Sequence, residues 1–174
     1  MTISSLRRTL QTAAVLYLMS LALALPAFAG GSSTAVIANF EGTRINLTHG
    51  WGEATACTSD GTRTDCFRSE TQMDRFLGQQ VHLASDCSSS LRLYSSTGFG
   101  GSVLHLTARG SWLNLWSYGF DNITSSFIVG ACNSFLASGA SGGGSWYPGP
   151  TTAGSSAASM LSGWDNVLSS AFIT

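Results

Sequence analysis

The apolar positions of this chain fall in short runs separated by glycine, serine and asparagine, with only one stretch at helical spacing. Ala35–Asn39 and Arg44–Thr48 are apolar or alternating segments around Glu41-Gly42, which predicts a hairpin. His49-Gly-Trp-Gly52 predicts a turn, and a β-ribbon follows around Asp60-Gly61, a tight-turn dipeptide. Ser69-Glu-Thr-Gln72 has the spacing of a capping box, so Glu70–Leu77 is expected to be one short helix, ended by Gly78. Gln80–Ala84 is expected to be a strand. Two further short apolar segments, Phe127-Ile128-Val129 and Ala171-Phe172-Ile173, close the pattern. Short strands joined by glycine- and serine-rich turns predict an all-β fold.

Those last two strands belong to a repeat. Tyr118-Gly-Phe-Asp-Asn-Ile-Thr-Ser-Ser126 and Ser162-Gly-Trp-Asp-Asn-Val-Leu-Ser-Ser170 share glycine, an aromatic, Asp-Asn, two variable residues and Ser-Ser. Cys87 and Cys132 stand at matching places upstream, so the repeat spans residues 87–131 and 132–174. Such a repeat indicates two copies of one supersecondary unit, neither able to bury its core alone. The glycine-rich stretch 138–145 lies inside the second copy and is expected to be a hairpin loop, not a domain boundary.

The first 29 residues change the picture of location. Arg7 and Arg8 precede an apolar run through Leu25, then Pro26-Ala27-Phe28-Ala29, a small-x-small cleavage pattern. This predicts a signal peptide over residues 1–29 and a secreted mature chain from Gly30. All eight basic residues are arginine; removing Arg7 and Arg8 leaves six against nine Asp and Glu, a formal charge of −3. No basic patch is dense enough for nucleic acid. No segment beyond the leader has the length and apolarity of a membrane span, and a monomer is expected.

Four cysteines in a secreted chain imply two disulfides, with three connectivities open. Cys57 and Cys66 flank the Asp60-Gly61 turn and face each other across the ribbon, while Cys87 and Cys132 match across the repeat. The favoured pairing is therefore 57–66 and 87–132. Zinc or thiol chemistry is disfavoured, because no C-x-x-C spacing occurs. His49, His82 and His105 are scattered, no G-x-S-x-G elbow exists, and no catalytic constellation is legible. The sequons at Asn46 and Asn122 are read as chance. Trp112, Trp116, Phe120 and Trp164 are expected in the core or covering a sheet, not forming a sugar platform.

The residues Tyr94, Phe99, Gly101 and Ser102, followed by Asp121-Asn-Ile-Thr-Ser-Ser126, resemble the Greek-key motif of the βγ-crystallin superfamily. In that motif a hairpin folds over the sheet and aromatics pin it there. The resemblance covers residues 87–174 and implies two Greek keys forming a β-sandwich, with residues 30–86 as an N-terminal extension of hairpins, disulfide ribbon and short helix. The extension does not match the motif.

Microbial members bind calcium through Asn/Asp-Asn/Asp-x-x-Ser/Thr-Ser. Asp121-Asn122-Ile123-Thr124-Ser125-Ser126 and Asp165-Asn166-Val167-Leu168-Ser169-Ser170 both fit. The resemblance implies that the two motifs cross over. Oxygens near Asp121, Asn122 and Ile123 would join the Ser169 hydroxyl, and those near Asp165, Asn166 and Val167 would join Ser125. The same residues read as pure turn chemistry would only satisfy local backbone. The expected role is a secreted, non-enzymatic calcium-binding protein, with a secreted proteinase inhibitor as the alternative, since some bacterial metalloproteinase inhibitors share the fold; an extracellular protease is its partner in that case. One departure stands out: glycine and serine occupy residues 139–146, where the second hairpin would carry aromatics, and Trp146 and Tyr147 are the candidate substitutes.

Overall fold

The computed structural model describes residues 34–80 and 90–174. The expected leader, most of the expected strand Gln80–Ala84, and Cys87 lie outside the described residues. The chain forms β1 (Ile37–Phe40), β2 (Thr43–Asn46), β3 (Ala56–Ser59), β4 (Thr64–Phe67), α1 (Glu70–Gln80), β5 (Leu91–Ser96), β6 (Gly100–Leu106), β7 (Trp112–Asn114), β8 (Ser126–Val129), β9 (Ser134–Ala137), β10 (Ser156–Ala157) and β11 (Ser170–Ile173). Among the described residues the fold is all-β with one α-helix.

Two sheets face each other. The larger has the order β10-β8-β5-β6-β3-β4-β1-β2, the smaller β7-β11-β9. Side chains alternate along the strands, so Leu91 and Leu93 of β5 point inward while Arg92 and Tyr94 point outward. The inward set of the large sheet (Leu104, Leu106, Phe127, Val129) meets Leu113, Leu136, Ala171 and Ile173 of the small one in a single core. The two repeat units exchange strands. The first contributes β5, β6 and β8 to the large sheet but β7 to the small one; the second contributes β9 and β11 to the small sheet but β10 to the large one. Neither unit closes its sheet without the other, which is the Greek-key sandwich expected for residues 87–174.

Residues 34–80 continue the same large sheet. β3 pairs in parallel with β6, Cys57 opposite Leu104, and β1 pairs in parallel with β4. The expected hairpin over Glu41-Gly42 forms, with Ile37 opposite Asn46. The ribbon forms too, with Cys57 opposite Cys66 and a disulfide between them. Cys132 is also disulfide-bonded; its expected partner, Cys87, lies outside the described residues.

The helix starts as expected but runs past its predicted end. Ser69 Oγ accepts from the Gln72 amide at 3.3 Å, while Gln72 reaches back to the amide of Arg68 at 3.1 Å. Gly78 does not stop it. A glycine ends a helix when it turns left-handed, and Gly78 has no positive φ, so α1 continues to Gln80. The helix lays Met73 and Leu77 on the outward Tyr94, Val103 and Ile128. Arg92 fastens it from below, bonded to Glu70 at 2.5 Å and Asp74 at 2.6 Å.

Candidate metal centre

Each Asp-Asn-x-x-Ser-Ser segment is the entry to the last strand of its unit, and the strand exchange brings the two segments side by side. Their backbones bond reciprocally. The Asn122 amide donates to the Leu168 carbonyl at 2.9 Å, and the Asn166 amide donates to the Thr124 carbonyl at 3.0 Å. Asn122 and Asn166 have φ of 55° and 56°. This left-handed region is strained for most residues but tolerated by asparagine.

The side chains cross in the same way. Ser169 Oγ donates to Asn122 Oδ1 at 3.5 Å, and Ser125 Oγ donates to Asn166 Oδ1 at 3.4 Å. Within each segment the asparagine amide nitrogen donates to the preceding carboxylate, Asn122 to Asp121 at 3.2 Å and Asn166 to Asp165 at 3.4 Å. Of the eight residues singled out from sequence, these bonds join six into two clusters, Asp121 and Asn122 with Ser169, and Asp165 and Asn166 with Ser125, while Ile123 and Val167 follow the two asparagines in the chain. Each contains one carboxylate, one amide oxygen and the hydroxyl of the opposite segment. Asp121, Asp165 and the two asparagines lie at the surface or near it, whereas Ser125 is buried. Ile123 packs against the core from one side of its turn. Thr124 and Leu168 are the fully buried pegs below the two clusters.

The final serine of each segment has a different task. Ser126 Oγ donates to the Ser96 carbonyl at 2.6 Å and accepts from the Phe99 amide at 3.1 Å. Ser170 Oγ donates to the Gly139 carbonyl at 2.6 Å and accepts from the Gly142 amide at 3.0 Å. Each serine thus ties its strand to the hairpin folded over it. A second tie is duplicated as well: Ser95 Oγ accepts from the Ser102 amide at 2.8 Å, and Ser138 Oγ accepts from the Ser145 amide at 2.9 Å. The sequence analysis places Ser126 and Ser170 at the ends of the repeated segments without assigning these bonds to them. The signal is present in the matched Ser95 and Ser138, each seven residues before a serine.

The second hairpin is therefore intact without its aromatics. In the first, Tyr94 meets Phe99 edge-on at 5.7 Å. In the second, Ala137 and Gly142 occupy those places, and a Cβ on Gly142 would overlap the Trp112 ring. Trp112 of the other unit fills the space the missing aromatic leaves. Of the two candidate substitutes only Trp146 stays on this face, its Nε1 donating to the Gly142 carbonyl at 2.8 Å. Tyr147 turns inward and meets Phe127 and Trp164 edge-on, each at 5.4 Å. Phe120 is fully buried and Trp164 packs on the core, as expected, but Trp116 is 48% exposed.

Among the described residues no group of three or more His, Cys, Asp or Glu stands close enough to hold a metal by those side chains alone. Any cation at the two clusters would rest mostly on neutral oxygens. No protein-family model matches the chain, and no curated protein does. Solved structures do. A βγ-crystallin from Ciona intestinalis is 25% identical, with a TM-score of 0.41, over 48% of this chain and 98% of that one. A βγ-crystallin domain from Flavobacterium johnsoniae is 21% identical, with a TM-score of 0.41, over 48% and 92%. The N-terminal domain of Protein S is 19% identical, with a TM-score of 0.40, over 48% and 93%. Two of these three solved structures are βγ-crystallin domains, and each of the three is matched over about half of this chain's length.

Proposed function

We propose that this chain is a secreted, non-enzymatic, βγ-crystallin-like protein that binds calcium at two sites, each built from both repeat units, with the ion stabilising the fold. The observation that carries the reading is the reciprocal pairing of Asn122 with Ser169 and Asn166 with Ser125. Turn chemistry alone would need each asparagine and serine only within its own segment. Here each amide oxygen instead faces a hydroxyl more than 40 residues away in the chain.

The donor chemistry fits the ion. Calcium takes six to eight hard oxygens in flexible geometry. Each cluster offers a carboxylate, an amide oxygen, a hydroxyl and the carbonyls of a left-handed turn, with no nitrogen or sulfur donor among its side-chain acceptors. One carboxylate per cluster is few, so affinity should lie near the weak extracellular range, on the order of 10⁻⁴–10⁻³ M. Calorimetry of the mature protein, stripped with a chelator and titrated with calcium chloride, tests this directly. Two weak sites are expected, and silence up to several millimolar would sink the reading.

Secretion rests on the leader pattern and on cysteine use. Among the described residues no cysteine is free, as expected of an oxidising compartment, and no helix there is long and apolar enough to cross a membrane. N-terminal sequencing of protein from culture supernatant should begin at Gly30.

One observation favours proteinase inhibition as a second reading. The ribbon tip is exposed yet fixed: the Asp60 carboxylate accepts from the Thr62 amide, the Thr62 hydroxyl and the Arg63 amide at 2.7–2.8 Å. A rigid exposed loop is what an inhibitor presents to a protease. A panel of metallo- and serine proteases left uninhibited would remove it.

A further inference from the structure

The outward faces of the two sheets have opposite chemistry at equivalent positions. On the large sheet Arg92, Ile128 and Ser156 stand in register across β5, β8 and β10. On the small sheet their counterparts in the other unit are Phe135, Phe172 and Trp112, in register across β9, β11 and β7. The first face is covered by α1 through Met73 and Leu77, which pack with Tyr94, Val103 and Ile128, and through the Arg92 ion pairs. The second is a row of rings with centroids 5.6 and 6.2 Å apart. Trp146 lies against both ends of that row, 5.6 Å from Trp112 and 5.4 Å from Phe135. Phe135 is 39% exposed and Trp146 54%.

We infer that this aromatic face binds a neutral oligosaccharide, the C–H faces of its pyranose rings lying on Trp146, Trp112 and Phe135. Three features point to a sugar rather than to a protein. This fold already shows what its protein-covered face is made of: a mixture of Tyr94, Val103 and Ile128 with the salt-bridged Arg92. The small-sheet row holds rings only. Its neighbouring polar groups are the uncharged Asn114 and Ser141, Asn114 Oδ1 accepting from the Ser141 amide at 2.7 Å. A neutral hydroxylated ligand can exchange hydrogen bonds with amide and hydroxyl groups, whereas a charged one would find no counter-ion in that pair.

The third feature is preorganisation. Trp146 is held by its bond to the Gly142 carbonyl. Trp112 lies on the glycine hairpin in the space an aromatic would otherwise occupy. Rings fixed before binding lose little entropy on binding. They are also tilted by 45° to 56° to their neighbours. Such a corrugated surface suits a single glycan chain better than a flat crystalline face. The hairpin's lost aromatics and the exposed row are thus one feature: glycine at 142 is what lets Trp112 lie there.

This inference is independent of calcium. It is tested by titrating the mature protein with cellohexaose and with chitohexaose, followed by calorimetry and tryptophan fluorescence, with sedimentation velocity in parallel. Binding of at least one of them is expected, weakened on the order of tenfold or more in Trp146→Ala and partly kept in Trp146→Phe. Because Trp146 is largely exposed, the alanine variant should keep its fold, checked by thermal melting. Ser125→Ala should leave glycan binding unchanged. No binding of either hexasaccharide at millimolar concentration, or binding indifferent to Trp146→Ala, overturns the inference. So does a dimer that Trp146→Ala dissociates, which would assign the face to a second copy of the chain.

Discussion

Ser126 and Ser170, 44 residues apart, make the same two hydrogen bonds to the hairpins folded over them, each donating to a carbonyl at 2.6 Å. Both are fully buried. Alanine at either position removes two part-buried hydrogen bonds, one to a carbonyl and one from an amide. Each such substitution should cost about 1–3 kcal/mol, read from urea unfolding in chelator. Alanine at the neighbouring Ser125 or Ser169, whose hydrogen bonds are long at 3.4 and 3.5 Å, should cost well under that in chelator. Equal losses at all four serines would mean that the two adjacent serines do not divide the work.

Gly142 and Trp112 form a coupled pair across the two units. Restoring an aromatic by Gly142→Phe places a side chain at φ 80° and into the Trp112 ring. Overpacking of this kind, added to backbone strain, should cost roughly 2–4 kcal/mol. Removing the obstruction with Trp112→Ala should return part of it, so the double variant should be more stable than the two single losses predict. A double-mutant cycle in urea measures the coupling; strict additivity would show that Trp112 does not occupy the aromatic's place.

Much of this fold was legible because the chain repeats itself. Asp121-Asn-x-x-Ser-Ser and its copy at Asp165, set against the matching positions of Cys87 and Cys132, mark two units, and alternation marks their strands. The strand exchange of β7 and β10 was not legible. Trp112–Asn114 and Ser156–Ala157 are too short to show a period, and their places follow from what they pair with. The parallel pairing of β3 with β6 was hidden for a related reason: residues 34–80 read as hairpins, and nothing local in a hairpin tells which edge it will join. Trp112 covers the small sheet, as expected, but its seat against the Gly142 hairpin was not legible, because it depends on a glycine 30 residues away.

His105 gives the protein a pH dependence separate from its carboxylates. It is 1% exposed, its Nδ1 lies 2.9 Å from the Thr58 hydroxyl, and its Nε2 has no partner among the described residues. Burial, reinforced by the Arg92 charge and partly offset by Asp74, lowers its pKa from 6.5 to about 4. A histidine whose folded pKa is depressed contributes stability above its unfolded pKa and loses it as protons bind the unfolded chain first. Stability should therefore fall between pH 6.5 and about 4, by roughly 3 kcal/mol at most. Unfolding measured across that window should show the slope in wild type and a flatter one in His105→Gln. An unchanged slope in the variant would assign the dependence to other groups.

The asparagines at φ 55° and 56° allow turn chemistry and ligand chemistry to be separated in one substitution. Glycine adopts the left-handed region without strain, so Asn122→Gly keeps the turn's backbone while deleting the amide that faces Ser169. In chelator the variant should be about as stable as wild type, within roughly 0.5–1 kcal/mol. With calcium the two should part. At a concentration ten times the dissociation constant, each site stabilises the wild type by about 1.4 kcal/mol. Asn122→Gly should lose that increment at one site and retain it at the other, and Asn122→Gly with Asn166→Gly should not respond at all. Thermal melting of the three proteins with and without calcium measures this. If the double glycine variant is stabilised by calcium as much as the wild type, the Asp-Asn-x-x-Ser-Ser segments serve only their turns.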